Sequence, residues 1–536
     1  CACSALYEDG NHEHTRFWYK LVLIYLYSIV LYLFVLVAVG VYKVSSVKDS
    51  EDFMVAGRTL PWFVLVGTLL ATWMGSGSLF SGAGLGYRNG LAALWSSGGA
   101  WLGIALIYFI TKRIRNFGKV TVPDIFEARY GQVAAVLATI TTVIAYTTIV
   151  SYQFRGGGKV LSLVSDGLVS LETGIIITAL FAISYTILAG MYSVVYTDVV
   201  NGILMTIGTI AALIFLIIKV GGLSEIISIS ESVGKWQLFG NWELERSGDI
   251  SGPIIAISFF VPTMLLLMGD ANMYQRIFSA RDGGSAKKAV FFWIIGVVLL
   301  ESVISMLGLT GFVAASKGII PDLVGNAQSG IQNSDFQGML EARQAGSESV
   351  IPAIAKFAGL PLLLGLLLVS TMMAIIVSTA DSFLLIPATN LTRDVYLKHF
   401  NPAATEKQIL LISRSLVLIL GVVAFLLVSQ FKTVLNAAFT AYNIYGTSIT
   451  PSLLAAFLWK RATSQGAIAS IITGATVTII WTYFLPDWSG FKQLHPFLQE
   501  LTYPAAGLSI LMLVIGSLIT KPPEKDSLDQ FFNDSN

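Results

Sequence analysis

Long apolar stretches separated by short polar loops fill almost the whole chain. A helix needs about 20 apolar residues to cross the hydrocarbon core of a bilayer, and many of the stretches reach that length. The pattern predicts about thirteen transmembrane helices, at residues 20–42, 61–87, 91–111, 133–155, 173–190, 196–219, 252–278, 289–315, 359–388, 408–430, 433–459, 465–486 and 504–520. Residues 350–357 predict one further short helix. The expected fold class is an all-α polytopic membrane protein.

The composition indicates that lipid is part of the solvent. Of the 536 residues, 55% are hydrophobic and only 12% are charged, whereas a soluble globular domain carries about 25% charged residues. The formal net charge of +1 gives no electrostatic footprint for nucleic acid. The two cysteines, Cys1 and Cys3, cannot cross-link a core, and no cysteine and histidine cluster has the spacing of a metal site.

The distribution of basic residues predicts the orientation in the cell membrane. Cytoplasmic loops carry an excess of lysine and arginine, and the loops with that excess include Arg281, Lys287 and Lys288. We therefore expect residues 1–19 outside the cell, one transmembrane transporter domain over residues 20–520, and a cytoplasmic tail at residues 521–536.

Two of the predicted helices are interrupted. Residues 75–90 read GSGSLFSGAGLGYRNG, and residues 269–272 read GDAN. Close packing through small residues would account for the glycines, and so would discontinuous helices that line a binding site. Leaving out the first span, the interruptions fall in the first and the sixth helix. That placement favours a repeat of five plus five inverted helices, with core repeats at about residues 61–219 and 252–459.

Short motifs occur in a characteristic order along the chain. They are Asp52-Phe53-Met54-Val55-Ala56-Gly57-Arg58, Thr121-Val122-Pro123-Asp124, Tyr185-Thr186-Ile187-Leu188-Ala189-Gly190, Ser378-Thr379-Ala380-Asp381-Ser382 and Trp459-Lys460-Arg461. Together they resemble the sodium:solute symporter family, which has the LeuT-type fold, from about residue 52 to about residue 475. Residues 71–75, which read ATWMG, locally resemble the choline-transporting branch. The resemblance implies sodium-coupled uptake of a small organic solute, with Na⁺ as the coupling ion.

The resemblance also implies a sodium site. Its ligands would be backbone carbonyls and hydroxyls, the hard oxygens that such cations prefer, and they belong to Ala71, Met74, Ile375, Ser378 and Thr379. Ala71 and Ser378 each lie ten residues from the predicted inner edge of their spans, which is about 15 Å of helix. Serine and threonine can instead bond to their own helix, but the matched depth and the motif favour the sodium site.

Asp198 and Asp381 are carboxylates inside predicted spans, where charge is costly and indicates function. The resemblance implies a second sodium site at Asp198, with Asp381 and Ser382 nearby. The alternative is that Asp198 only caps or anchors a helix.

We expect the solute near the midplane, between the two interruptions. The candidate residues are Trp73, Ser76, Gly77, Ser78, Gln153, Arg155, Asp270 and Asn272. A tryptophan face and a carboxylate suit a nitrogen-containing cation or zwitterion. Sugar and proline are less favoured, because the resemblance implies a polar or acidic residue at the position of Trp73 for those solutes. Core packing of Trp73 and pairing of Asp270 with Arg276 are the alternatives.

Two further charged residues have open roles. Arg155 ends the predicted span 133–155, so it is expected to extend to the outer surface; alternatively the helix continues through Gly156-Gly157-Gly158 and Arg155 holds a substrate carboxylate. Glu301 lies near the middle of span 289–315. It would pair with a cation, carry a proton or balance Arg155.

The predicted function is sodium-coupled symport of a small organic solute into the cell. A proton-coupled symporter of the same fold is one alternative, and a transporter-like sensor with a separate signalling partner is another. An enzyme is not expected, because no nucleophile–base pair or phosphate-binding loop is present in the sequence. No feature of the sequence predicts an oligomeric state.

Overall fold

The computed structural model describes residues 12–44, 56–118, 121–240, 242, 251–325, 336–485, 488 and 490–532. The motif residues 52–55 and both cysteines lie outside the described residues. Almost all of the described chain is helical, and its β pairing is limited to an isolated bridge between Leu60 and Ala280. The all-α class predicted from the hydrophobic pattern is confirmed.

Twenty α-helices follow one another along the described chain. They are α1 (His12–Val44), α2 (Trp62–Trp73), α3 (Ala83–Asn89), α4 (Leu94–Asn116), α5 (Val122–Tyr130), α6 (Gln132–Val164), α7 (Leu171–Val220), α8 (Leu223–Ser232), α9 (Gly252–Gly269), α10 (Ala271–Phe278), α11 (Gly283–Ser316), α12 (Phe336–Ser347), α13 (Val350–Phe357), α14 (Leu362–Asn390), α15 (Glu406–Leu427), α16 (Val434–Leu458), α17 (Ser464–Tyr483), α18 (Pro496–Gln499), α19 (Thr502–Ile519) and α20 (Lys525–Phe532). The short helix predicted at residues 350–357 is present as α13.

Among the described residues, 11 helical segments are long and apolar enough to cross a membrane. The exact number of thirteen predicted from the sequence is not confirmed. One reason is that α2 has only 12 residues. Another is α16, which has 25 residues but is not among the 11 segments. Its buried positions include polar residues such as Thr440, Asn443 and Thr447, which lower the mean hydropathy of the helix.

Both predicted interruptions are breaks in helices. α2 ends at Trp73, and Met74 has the non-helical angles φ −80° and ψ 80°. Helical structure resumes at Gly77 with a π-helical turn that leads into α3. α9 ends at Gly269, and Asp270, with φ −58° and ψ 113°, separates it from α10. The structure therefore confirms two discontinuous helices.

The predicted end of a helix at residue 155 is wrong. α6 continues through the three glycines to Val164. A Cβ atom on Gly156 would lie 2.4 Å from Oγ of Ser76, so the glycine allows α6 to touch the first break. The next two glycines pack in the same way against α7. Close packing therefore outweighs the weak helix propensity of glycine.

α14 is deeply buried beside the first break. Every residue from 368 to 390 is buried. The helix packs against α2, α6 and α7. Its side chains thus face other helices over most of its length, which places them within reach of the break.

Candidate functional site

The end of α2 and the middle of α14 meet at the first break. Oγ1 of Thr379 donates to the backbone carbonyl of Ala71, with an oxygen–oxygen distance of 3.5 Å. Because α2 stops here, its last carbonyl oxygens lack the usual partners further along the helix. Met74 and Ile375 are buried on the same two segments. One hydroxyl and one carbonyl oxygen of the predicted sodium ligands, those of Thr379 and Ala71, are therefore in contact.

Asp198 on α7 lies beside this junction. Oγ of Ser378 donates to its Oδ1, and Oγ1 of Thr68 donates to its Oδ2 at 2.6 Å. Nη2 of Arg276 lies 3.2 Å from the same Oδ2, and both charged side chains are fully buried. This ion pair connects α7 with α10, and Asp198 contacts a predicted sodium ligand directly.

The other two residues expected at a second sodium site have different partners. Nη2 of Arg276 donates to Oγ of Ser382 at 2.8 Å. Thr186 donates to Oδ1 of Asp381 at 2.6 Å, and Oδ2 of Asp381 is buried without a hydrogen bond from the described residues. A guanidinium group therefore lies between Asp198 and Ser382, where the resemblance implies a second cation.

Two small internal spaces flank the first break. The larger has a volume of about 30 Å³ and the smaller about 10 Å³, which is room for about one water molecule. Trp73, Gly77 and Tyr442 line both, and Ser78 and Glu301 also line the larger. A Cβ atom on Gly77 would lie 2.7 Å from Oη of Tyr442. A side chain at this position would displace the Tyr442 hydroxyl, so glycine allows the break to lie close to α16.

Gln153 on α6 holds the chain where helical structure resumes. Its Oε1 accepts from the backbone N of Ser76 at 2.9 Å and from Oγ of Ser76 at 2.5 Å. Gln153 also lines the smaller space, together with Thr379 of the sodium junction. The predicted sodium and solute residues are therefore neighbours.

Glu301 on α11 lines the larger space. Nε1 of Trp73 donates to its Oε1 at 2.7 Å, and Nε1 of Trp101 on α4 donates to its Oε2 at 2.8 Å. The sequence interpretation missed Trp101 and Tyr442. No local signal in the sequence indicates the contact of Trp101, because it lies 200 positions before Glu301.

Asp270 and Asn272 do not line either of these spaces. Oη of Tyr146 on α6 donates to Oδ1 of Asp270 at 2.6 Å, and the backbone N of Asn272 donates to the same oxygen at 2.7 Å. Asp270 thus caps α10 and turns toward α6, so the structure does not bring it to Trp73. The alternative pairing with Arg276 is not made either, because that guanidinium bonds to Asp198.

Arg155 also lies away from the two spaces. Its Nη2 donates to the carbonyl of Val428 at 2.9 Å, and its Nη1 donates to that of Lys432 at 3.4 Å. These carbonyls belong to the segment that connects α15 with α16. The structure therefore does not place Arg155 where it could balance Glu301 or hold a carboxylate beside Trp73.

Comparison with known proteins identifies the transporters that the chain is similar to. The sequence model of the sodium:solute symporter family matches residues 53–474. The osmoregulated proline transporter OpuE of Bacillus subtilis (strain 168) is 26% identical over 520 residues, which cover 94% of this chain and 96% of that protein. The sodium/pantothenate symporter of Escherichia coli (strain K12) is 25% identical over 501 residues, which cover 91% of this chain and 95% of that protein.

A solved structure shares the fold. A Na⁺-coupled sialic acid symporter in its substrate-bound, outward-open state superimposes with a TM-score of 0.74 at 18% sequence identity, covering 94% of this chain and 98% of that one. The LeuT-type fold that the family resemblance implies is confirmed. The local likeness to choline transporters stays a prediction.

Proposed function

Because the chain belongs to the sodium:solute symporter family and is thus a sodium-coupled membrane transporter rather than an enzyme, we propose that it imports a solute with a positively charged nitrogen. The observation that carries this proposal is the larger space beside Trp73. The aromatic rings of Trp73, Phe439 and Tyr442 and one carboxylate line it, and none of its described lining residues is basic. Such a lining favours a cation or zwitterion over an anion.

The aromatic part of the site is formed across the break. The rings of Trp73 and Tyr442 have centroids 6.2 Å apart and an interplanar angle of 32°. Both rings line the two spaces. A cation within about 6 Å of a ring centroid is attracted by the face of the ring. A charged nitrogen between α2 and α16 would meet two such faces.

The helices must separate for a solute to reach this position, because binding pockets for small molecules need about 300 Å³ or more. Glu348 is buried in an ion pair with Lys159 of α6, and its backbone N lies 3.2 Å from where a Cβ atom on Gly84 of α3 would be. Its Oε1 also accepts from the backbone N of Leu435 at 2.9 Å, which connects it to α16. We propose that opening of this connection gives access to the space.

We propose that the coupling ion binds at Ala71, Met74, Ile375, Ser378 and Thr379. The contact between Thr379 and the carbonyl of Ala71 supports this assignment. We place the N-terminus outside the cell and the C-terminus in the cytoplasm, following the excess of basic residues in alternate loops. With that orientation, sodium and solute move inward together.

The sodium gradient is sufficient for uptake against a steep solute gradient. One sodium ion that moves through 100 mV releases about 2.3 kcal/mol, and a tenfold sodium gradient adds about 1.4 kcal/mol. Together they support about 500-fold accumulation of a solute without net charge. A cation gains further from the membrane potential.

A solute panel tests the class of solute. The melting temperature of the purified protein is measured with sodium chloride or potassium chloride and with sugars, monocarboxylates, amines, betaines or amino acids. We expect nitrogen cations or zwitterions to raise it, and only with sodium. Sodium-dependent stabilisation by sugars or monocarboxylates alone would contradict the proposal. Proline and pantothenate belong in the panel, because relatives are named as transporters of these compounds.

Trp73→Leu is expected to weaken binding of the stabilising solute about five- to thirtyfold, because loss of a desolvated cation–π contact costs about 1–2 kcal/mol. Trp62→Leu is the matched control, since it makes the same change at the other end of α2 and lies outside both spaces. The measurement is the solute concentration for half-maximal uptake. Equal effects of the two substitutions would contradict a role for the Trp73 ring.

A further inference from the structure

The carboxylate of Glu301 is held by three helices. It extends from α11, and the indole N–H groups of Trp73 on α2 and Trp101 on α4 donate to its two oxygens at 2.7 and 2.8 Å. An indole N–H group can only donate, so each contact requires an acceptor oxygen. The two contacts together fix the orientation of the carboxylate.

This carboxylate has no countercharge among the described residues. Glu301 is only 6% exposed, and the ion pairs of the described chain do not include it. The described residues that line the larger space with it contribute hydroxyls, rings and apolar groups. An unpaired buried carboxylate is costly, and two neutral N–H donors offset only part of that cost. A bound cation would supply the missing charge.

We propose that Glu301 recognises the charged nitrogen of the solute and selects nitrogens that still carry N–H groups. This inference rests on the proposed function. Each carboxylate oxygen can accept two hydrogen bonds, one indole occupies one position on each, and the hydroxyl of Ser97 is a further donor beside the carboxylate. A remaining position accepts an N–H group of a primary or secondary ammonium. A quaternary ammonium has no N–H group to donate.

Trp101 is a positioning residue in this arrangement. It donates to Glu301 but does not line the larger space, so its influence on the solute passes through the carboxylate. Trp73 has both roles, because it donates to Glu301 and presents its ring to the space. The recognition group is therefore the Glu301 carboxylate, and the Trp101 indole fixes its orientation from outside the space.

The N-methylation state of the solute provides the first measurement. Purified full-length protein is heated in sodium chloride with matched pairs: ethanolamine and choline, glycine and glycine betaine, proline and proline betaine. In the pair that binds, the member with N–H groups is expected to bind at least about tenfold more tightly. This affinity ratio corresponds to the free energy of one charge-assisted hydrogen bond. Equal or tighter binding of the quaternary member overturns the selection for N–H groups.

E301Q keeps the shape of the side chain and removes its charge. We expect it to weaken binding of the N–H solute by about 10- to 150-fold, as for a lost hydrogen bond to a charged group. The melting temperature in sodium without solute serves as the check on folding. If a nitrogen cation binds to the wild type and E301Q binds it equally well, Glu301 is not the recognition group, while the proposed function stands. If only sugars or acids bind in sodium, the proposed function itself fails.

W101F keeps an aromatic ring and removes the N–H donor, together with part of the indole volume. It is expected to weaken binding about two- to tenfold, a smaller loss than in E301Q because the charge of Glu301 remains, without changing the sodium concentration for half-maximal uptake. The double variant E301Q/W101F should bind no more weakly than E301Q, because Trp101 acts through the carboxylate. Additive losses overturn the positioning role.

The pH dependence of uptake in E301Q provides a further check. If E301Q keeps its affinity for the solute but its uptake no longer depends on pH, Glu301 carries a proton and the proposal is overturned.

Discussion

Asp198→Asn is expected to destabilise the protein by about 3–5 kcal/mol, because it leaves the buried guanidinium of Arg276 without its countercharge. Both side chains are fully buried, and the pair joins α7 to α10. The same substitution should also raise the sodium concentration for half-maximal uptake, because Asp198 accepts the hydroxyl of Ser378. Melting temperature and sodium dependence of uptake are the two measurements.

The double variant D198N/R276M separates these two effects. Replacing both members of a buried ion pair with uncharged groups is often close to neutral for stability. The double variant should therefore recover most of the melting temperature while its sodium affinity stays low. R276M alone, which leaves the carboxylate unpaired, is the matched control. Wild-type sodium dependence in the double variant would show that Asp198 serves the fold only, and a change limited to solute choice would contradict a role in ion coupling.

The positions of the helix breaks could be predicted because their cause is local. Glycines and an isolated Gly-Asp pair interrupt otherwise apolar spans, and a bilayer tolerates such backbone only inside protein or beside a cavity. The junction of Ala71 with Thr379 followed from a motif and from equal depth on two helices. The pairing of these residues came from the family resemblance, and their role as sodium ligands stays a prediction.

The direction of Asp270 was not foreseen, although the sequence contained a signal. An aspartate directly before a helix commonly caps it by accepting a backbone N–H two or three residues later, and Asp270 does so with Asn272. Capping turns the side chain back over α10, where Tyr146 also donates to it. A carboxylate at a break can therefore cap the next helical segment instead of binding a ligand.

The continuation of α6 beyond Arg155 depends on tertiary contacts that local propensity does not contain. Three consecutive glycines weaken an isolated helix, yet here they give α6 the narrow surface that contacts Ser76 and α7. The contact of Trp101 with Glu301 is of the same kind, because it joins residues 200 positions apart in the sequence. Such contacts form only when the helices pack together, so local sequence patterns do not predict them.

Replacing both Ser378 and Thr379 with alanine is expected to raise the sodium concentration for half-maximal uptake by at least about tenfold, since two oxygen ligands are lost and 1.4 kcal/mol is already a factor of ten. Neither hydroxyl is engaged by its own helix in the hydrogen bonds described above. Thr379 donates to the carbonyl of Ala71, and Ser378 donates to Asp198. Both therefore point toward the junction that would hold the ion.

Thr371→Ala is the matched control for this double variant. Thr371 lies on the same helix and is buried, but its Oγ1 donates to the carbonyl of Leu367 in its own helix at 2.7 Å. Because that hydroxyl is already satisfied locally, its loss should leave the sodium dependence unchanged. The uptake assay varies sodium at fixed solute and fixed ionic strength. An unchanged sodium dependence of the S378A/T379A variant, or an equal shift in Thr371→Ala, would show that these hydroxyls stabilise α14 and do not bind the coupling ion.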